Sequence, residues 1–271
     1  MNNITKLKKI AKSLRKEIIT MSYRAKKAHI SSCLSIIDIL TYLYWKEMKI
    51  RPKNPKWQKR DKFILSKGHA APALFATLDY RGFFPKKLLE NYGKNNSYLG
   101  MHPEAELVPG IEVSTGALGH GLSIGAGMAL AEKINKTRTR VFVLVSDAEC
   151  DEGTTWETIL FAPQHKLNNL FLLIDFNRMQ AFGKIEDVIN LDPLKDKLIS
   201  FGWNVYDVNG HDLGKIDVMF SKIKKLSSDK PNAIILNTTA GKGVSFMENE
   251  LKWHYQNLDE ELYKMALEEL N

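Results

Sequence analysis

The 271-residue sequence has few cysteines and no long apolar run, and each absence excludes a class of protein. Cys33 and Cys150 are its only cysteines, too few for a disulfide framework or a CxxC metal site. No segment approaches the roughly 20 apolar residues that a membrane span needs. The Lys-rich start lacks the unbroken apolar core of a signal peptide. We therefore expect a cytoplasmic protein that does not enter a membrane.

The charge does not indicate a nucleic-acid partner either. Lys and Arg number 39 and Asp and Glu 31, which gives a net charge of +8. No zinc-finger spacing, RNP-like aromatic run or basic heptad accompanies this excess, so we expect no nucleic-acid binding. With 44% hydrophobic and 26% charged residues, the composition is that of a globular chain with a sizeable core.

Apolar periodicity predicts an α/β fold. Short apolar runs predict strands at 63–65, 141–146, 170–176, 203–208 and 233–238. Helical spacing predicts helices at 4–28, 35–44, 70–80, 129–132, 153–166, 213–226 and 257–270. Near-continuous apolar strands between helices indicate a parallel central sheet with helices on both faces. Without a repeat or linker, residues 1–271 are predicted to form one domain with a helical N-terminal wrap and a C-terminal helical tail.

Polar residues follow two of the predicted strands. Asp147 comes directly after 141–146, and Asn177 directly after 170–176. Adjacent strand ends would bring them together, and with the Met179 carbonyl they would form an oxygen site suited to magnesium or calcium. If the next helix began at the same crevice, its N–H groups would favour a diphosphate. In isolation, an Asp and an Asn after strands are more typical of ordinary turn and capping residues.

A Gly-rich segment, STGALGHGLSIGAGM at 114–128, precedes the predicted helix at Ala129. Its spacing fits neither the dinucleotide fingerprint nor the P-loop. Taken alone, it is also what a helix packed tightly on its neighbours would need.

Histidines are placed beside loops and helix starts. His29, His69, His102 and His254 lie in AHISSCLS, SKGHA, GMHPE and KWHYQ. Four such residues near Gly-rich turns indicate a site that moves protons on oxygen-rich substrates. His120, His165 and His211 are interpreted as packing or capping residues.

Several motifs, in order, resemble one family. SKGHA, GMHPE, STGALGHGLSIGAGMALA, SDAECDEGTTWETILFAPQHKLNNLFLLIDFNRMQ, NGHD and TTAGKGVSFMENELKWH are similar to the N-terminal, diphosphate-binding half of transketolase. The likeness runs from His29 to His254 and is greatest to the split form, in which this half is a separate subunit. It implies the thiamine diphosphate-binding fold.

The resemblance also implies a cofactor site. Asp147 and Asn177, thirty positions apart, match the two ends of the family's thiamine diphosphate motif, which makes them magnesium ligands together with the Met179 carbonyl. Ala148 would offer its backbone to the diphosphate, and Gly116 and Leu118 match residues that line the aminopyrimidine.

Further roles are implied for the histidines and one glutamate. His69 and His254 match histidines that touch the cofactor and the reacting oxygens. His29 and His102 match histidines that bind substrate hydroxyls and assist proton transfer. Glu152 matches a buried glutamate that links two cofactor sites across a dimer.

The implied activity is transfer of a two-carbon ketol unit from a ketose or its phosphate to an aldose. In the family, the glutamate that activates the aminopyrimidine and the basic residues for sugar phosphate lie in a second domain that these 271 residues do not contain. The resemblance therefore implies a separate C-terminal subunit, in an α2β2 assembly.

The sequence departs from the family at three places. Ser146-Asp147-Ala148 replaces Gly-Asp-Gly, Ser31 and Ser32 replace glycine, and Tyr255 follows the Trp-His pair where glycine is common. Tyr255 suggests an unusual acceptor, branched or nucleotide-linked.

Two alternatives remain: a subunit of another thiamine diphosphate enzyme, of deoxyxylulose phosphate synthase or oxo-acid dehydrogenase type, and a non-catalytic scaffold paralogue. The four histidines favour ketose chemistry over oxo-acid decarboxylation.

Overall fold

Five strands form one parallel sheet in this computed structural model, which describes residues 3–271. They are β1 (Lys62–Leu65), β2 (Val141–Ser146), β3 (Leu170–Phe176), β6 (Asn204–Asn209) and β7 (Asn232–Asn237). Their order across the sheet is β1-β2-β3-β7-β6. Each predicted strand is confirmed to within one residue at either end, as is the parallel α/β fold. In β2 and β3 every residue is buried, as apolar strands covered on both faces must be.

Within these described residues, ten helices surround the sheet. They are α1 (Asn3–Ala25), α2 (Ile30–Leu34), α3 (Ile37–Tyr42), α4 (Ala71–Arg81), α5 (Gly121–Ile134), α6 (Gly153–Gln164), α7 (Ile185–Val188), α8 (Leu194–Ser200), α9 (Leu213–Ile223) and α10 (Glu260–Glu269). A small hairpin, β4 (Met179–Gln180) and β5 (Gly183–Lys184), follows β3. No helix within residues 3–271 is both long and apolar enough to cross a membrane.

Two cores lie on opposite faces of the sheet. Alternation along β2 directs Phe142 and Leu144 into the core shared with α1, α3, α4 and α9, while Val143 and Val145 enter the core shared with α5, α6 and α8. The sheet thus presents the ends of β2 and β3 in the middle of the molecule, with helices packed on both sides.

Three helix predictions need correction, two of them near the N-terminus. The first helix ends at Ala25, not at residue 28, because Lys26 (φ 50°) and His29 (φ 68°) adopt left-handed backbone conformations, which helices do not continue through. The segment predicted as one helix from Ser35 begins earlier, at Ile30, and is broken into α2 and α3.

The helix expected at Ala129 begins eight residues earlier, at Gly121. The Gly-rich segment is therefore partly helical, and one of its glycines is required by packing. A Cβ on Gly125 would lie 2.3 Å from Cγ2 of Val143 in β2. The missing side chain lets α5 lie close against the sheet.

Gly125 and Gly127 should respond oppositely to alanine. A Cβ on Gly127 meets nothing within 4 Å, so Gly127→Ala should raise the free energy of unfolding by about 0.5–1 kcal/mol through helix propensity. Gly125→Ala should lower it by about 1–3 kcal/mol through overpacking. Urea denaturation of both variants tests this. Equal effects would contradict the packing described for α5.

Candidate functional site

A cavity of about 540 Å³ opens at the carboxyl ends of β2 and β3, where parallel sheets commonly bind ligands. Ten of the eleven residues singled out from the sequence line it: His29, His69, His102, Gly116, Leu118, Ala148, Glu152, Asn177, Met179 and His254. The eleventh, Asp147, is wholly buried between Ser146 and Ala148, which both line the cavity. The fold therefore assembles in one place residues that are up to 225 positions apart, from His29 to His254.

Asp147 lies at the end of β2 with both carboxylate oxygens bonded to backbone. Oδ1 accepts from the Ala148 N–H at 2.9 Å, and Oδ2 accepts from the Arg178 N–H at 2.7 Å. Burial, and then the nearby charge of Asp175, raises the pKa of Asp147 to about 7. A buried carboxylate whose nearest partners are neutral N–H groups is a favourable place for a cation.

Asn177 and Met179 supply neutral oxygens beside it. The Asn177 side chain donates from Nδ2 to Asp175 Oδ2 at 2.9 Å, and its Oδ1 accepts from the Met179 N–H at 2.9 Å. Arg178 between them has φ 62°, a strained conformation for a non-glycine residue that is characteristic of functional sites. This turn brings the Asp147 and Asn177 strand ends together, as the sequence predicted.

The chemistry of these donors fits a hard cation. Within residues 3–271 no group of three or more His, Cys, Asp or Glu is arranged to bind a metal. One carboxylate, one amide oxygen and one backbone carbonyl suit magnesium or calcium, whose remaining positions phosphate oxygens and water would fill. The residues therefore fit a metal bound jointly with a diphosphate.

A buried glutamate explains Ser146, which stands where the motif described above has glycine. Glu149 forms a capping box with Ser146: Oε2 accepts from the Ser146 N–H at 2.9 Å, and Ser146 Oγ accepts from the Glu149 N–H at 3.2 Å. Glu149 Oε1 also accepts from Gly119 N–H at 2.9 Å and from Ser66 Oγ. Ser146 thus starts the 3₁₀ turn Asp147–Asp151, and the Gly-rich loop is fastened to it.

This turn changes which N–H groups can face a diphosphate. The α-helix α6 begins at Gly153, after the 3₁₀ turn, so the segment directly at Asp147 is a 3₁₀ turn and not the start of an α-helix. The Ala148 N–H is engaged by Asp147, and the predicted backbone contact of Ala148 with a diphosphate stays a prediction. The cavity extends along Ala148, so its methyl group does not close the site.

Three histidine rings form a cluster. The ring centroids of His29 and His254 are 4.9 Å apart, those of His29 and His69 5.3 Å, and those of His69 and His254 5.8 Å. His102 lies on the Gly116 side of the cavity, where a Cβ on Gly116 would be 3.2 Å from its ring. All four predicted histidines therefore line one cavity, and the absence of a side chain at Gly116 leaves room for the His102 ring.

The cluster disfavours positive charge. Burial and then His102 lower the pKa of His29. Burial, followed by Lys67 and the other three histidines, lowers the pKa of His69 well below its usual range. Burial, followed by His29 and Lys67, lowers the pKa of His254 to about 4. At neutral pH these rings are uncharged, so each can accept a proton from one ring nitrogen and donate one from the other.

His29 is also held in a strained backbone conformation. Its φ of 68° and ψ of 24° lie in the left-handed region just before α2, and its N–H donates to the His254 carbonyl at 3.3 Å. This bond joins the loop before α2 to the 3₁₀ turn Leu251–His254. Strain of this kind persists where surrounding contacts fix it.

Sequence reasoning missed a buried ion pair under the cavity. Lys67 Nζ donates to Asp175 Oδ2 at 2.6 Å, and both side chains are wholly inaccessible to solvent. The available signal was Asp175 itself, the one charged residue in the apolar strand LFLLIDF, because a carboxylate in a fully buried strand requires a partner.

Glu152 differs from the buried glutamate that it matches. On this single chain Glu152 is exposed, and the buried glutamate of this segment is Glu149. The expected role of Glu152 concerns a dimer and stays a prediction. Of the remaining histidines, His211 bonds to Asp38. His165 is exposed beside Phe161, and His120 is exposed with Nδ1 3.0 Å from the Leu118 carbonyl.

Aromatic side chains border the cavity mouth. Phe182 is 84% exposed, and the Tyr255 hydroxyl donates to the Ala181 carbonyl at 2.6 Å. This bond connects the segment after His254 with the β4–β5 hairpin.

The family model described as "Transketolase, thiamine diphosphate binding domain" matches residues 7–270. The chain is 42% identical over 257 residues to an apulose-4-phosphate transketolase subunit of Phocaeicola vulgatus, covering 95% of this chain and 91% of that protein. It is 40% identical over 242 residues to the 6-deoxy-6-sulfo-D-fructose transketolase subunit SqwG of a Clostridium species, covering 89% and 88%. A crystal structure of Campylobacter jejuni transketolase superimposes with a TM-score of 0.93 at 32% identity, and this chain covers 43% of its length.

The histidine cluster should make stability depend on pH. Since His254 has a lower pKa in the folded state than its ordinary 6.5, the unfolded chain binds the proton first as pH falls. The contribution of His254 to the free energy of unfolding should therefore decrease as pH falls below 6.5, by at most about 1.4 kcal/mol per pH unit, while the raised pKa of Asp147 acts in the opposite direction. His254→Gln should flatten the decrease between pH 6.5 and 5.

Urea denaturation at several pH values measures this slope. His165→Gln is the control, because His165 is exposed and outside the cavity. An equal flattening in both variants would show that the cluster is not the cause.

Proposed function

We propose, from the premise that this chain belongs to the transketolase family, that it is the N-terminal subunit of a two-subunit transketolase. It transfers a two-carbon ketol unit from a ketose or ketose phosphate to an aldose. The observation that carries this proposal is the single cavity in which four histidines meet the oxygen donors at the ends of β2 and β3.

The cofactor is thiamine diphosphate with magnesium, or calcium in its place. Asp147, Asn177 and the Met179 carbonyl would hold the metal, Gly116 and Leu118 would line the aminopyrimidine, and Ala148 would face the diphosphate. When bound, this cofactor supplies the carbon nucleophile and the electron sink that ketol transfer needs. The cation would offset the charges of the Asp147 carboxylate and the diphosphate.

The four histidines act on the substrate's hydroxyl groups. His69 and His254 would face the cofactor and the reacting oxygens, and His29 and His102 would bind the substrate hydroxyls. Because the cluster keeps its rings uncharged near neutral pH, an imidazole can take a proton from a hydroxyl and return it after bond cleavage.

A second subunit would complete the site. The two relatives named as transketolase subunits are matched over 91% and 88% of their length, whereas the solved transketolase is more than twice as long. The exposed aromatic Phe182 at the cavity mouth would pack on this partner, and Glu152 would meet a second copy of the chain, giving an α2β2 assembly.

The substrate is a ketose or its phosphate, and the relatives suggest an uncommon one. Their names specify apulose 4-phosphate and 6-deoxy-6-sulfo-D-fructose as substrates. Tyr255 at the mouth would contact the part of the sugar that distinguishes such substrates.

Cys33 and Cys150 are both unpaired and buried, which suits the reducing cytoplasm.

Asp147→Asn should remove metal-dependent cofactor binding, because it keeps the side-chain shape and deletes the charge. In calorimetric titrations of thiamine diphosphate and Mg²⁺ into the chain with its C-terminal subunit, the dissociation constant should rise by more than the roughly 10- to 100-fold that an outer-shell loss causes. Asp229→Asn, at an exposed surface pair, is the control. Absence of binding in the unmodified complex would favour the scaffold alternative.

Tyr255→Phe should alter substrate choice more than turnover, because it breaks the bond to Ala181 at the mouth. In the two-subunit complex, the KM for apulose 4-phosphate should rise severalfold while that for xylulose 5-phosphate changes little. Tyr98→Phe is matched in exposure at 57% and should leave both constants unchanged. Parallel changes for the two sugars would remove Tyr255 from substrate selection.

A further inference from the structure

Lys67 has a complete set of hydrogen-bond partners beneath the cavity. Its Nζ donates to Asp175 Oδ2 at 2.6 Å, to the Ser32 carbonyl at 2.9 Å and to Ser32 Oγ at 3.0 Å. An ammonium group has three protons and no acceptor. Because the ammonium group can only donate, Ser32 Oγ is the acceptor in its bond with Lys67.

The Ser32 hydroxyl proton then has one remaining partner. Ser32 Oγ lies 3.0 Å from His69 Nε2, and the Ser32 side chain is buried. If His69 Nε2 carried a proton, Ser32 Oγ would accept two hydrogen bonds and its own buried O–H would point at no acceptor among its contacts. A buried donor without a partner is costly. The arrangement favours Ser32 as donor and Nε2 as acceptor.

A neutral histidine with Nε2 as acceptor carries its proton on Nδ1. Burial and Lys67 disfavour a second proton on this ring. His69 lines the cavity, and Nδ1–H is the ring nitrogen left for a ligand. This N–H group can donate to a phosphate or sugar oxygen. In a mixture of tautomers, only the molecules with the proton on Nδ1 could do so.

The same ion pair orients the amide on the metal side. Asp175 Oδ2 accepts from Lys67 Nζ and also from Asn177 Nδ2. This second bond fixes which end of the Asn177 side chain is nitrogen, so that Oδ1 faces away from Asp175. One hydrogen-bond chain, Asn177–Asp175–Lys67–Ser32–His69, therefore joins the two sides of the cavity.

We propose that Ser32 and Lys67 are positioning residues that hold His69 as the Nδ1–H tautomer. The tautomer depends only on this chain; its use toward a cofactor or sugar oxygen rests on the proposed function. Ser32 and Lys67 both lie outside the set of residues predicted to contact the metal, cofactor or substrate, so they act on the cavity through His69.

Nitrogen NMR of the full chain labelled with ¹⁵N-histidine tests the proposal directly. His69→Gln assigns the resonances. In the unmodified chain, His69 should show a protonated Nδ1 and an unprotonated Nε2 near neutral pH. Ser32→Ala should convert this into a mixture of tautomers, and Ser32→Thr, which restores a hydroxyl, should return the single form.

Two further variants complete the design. Ser31→Ala removes the neighbouring cavity-lining hydroxyl and should leave the His69 spectrum unchanged. Lys67→Met combined with Asp175→Asn removes both buried charges together and should release the tautomer as Ser32→Ala does. A protonated Nε2 in the unmodified chain, or an unchanged spectrum in Ser32→Ala, overturns the proposal.

The spectra need no cofactor, so the two claims fail separately. Calorimetry on the two-subunit complex supplies the second readout, where Ser32→Ala should weaken thiamine diphosphate binding severalfold. A fixed tautomer in a complex that binds no thiamine diphosphate would contradict the proposed function and leave this inference intact.

Discussion

The buried carboxylate of Asp175 is the constraint from which the site is built. Burial alone would raise its pKa, but the Lys67 charge and the hydroxyl donors Thr238 and Ser35 lower it. Its oxygens accept from Lys67, Ser35, Thr238 and Asn177, which lie after β1, between α2 and α3, after β7 and after β3. Since a buried charge left without partners is strongly destabilising, satisfying Asp175 draws four segments to one end of the sheet.

The electrostatics of the cavity follow from this arrangement. Burial lowers the pKa values of His69 and His254, and the charge of Lys67 and the neighbouring histidine rings lower them further. On the side of the cavity at the ends of β2 and β3, Asp147 lies near the charge of Asp175. Its carboxylate is bonded to backbone N–H groups rather than to a positively charged side chain. The cavity therefore combines uncharged imidazole rings with a carboxylate position that favours a cation.

Much of the sheet and of the candidate site could be predicted from the sequence, because strands that are buried on both faces appear as continuous apolar runs. The bounds of β2 and β3 were predicted to the residue, and their adjacency brought Asp147 and Asn177 together. The segment around Lys26 and His29 could not be predicted, since left-handed residues there depend on tertiary contacts such as the bond from His29 to His254. Lys67 was missed for a similar reason, because a lysine in a short motif is usually solvated and only the fold buries it against Asp175.

We propose that the ends of β2 and β3 hold a metal and a diphosphate beside the histidine cluster. The most direct test is a crystal structure of the chain with its C-terminal subunit, thiamine diphosphate and Mn²⁺, with the metal located by anomalous scattering. We expect an anomalous peak bonded to Asp147, Asn177 and the Met179 carbonyl, with the diphosphate beside Ala148. A metal bound by other residues, or a cofactor outside this cavity, would contradict it.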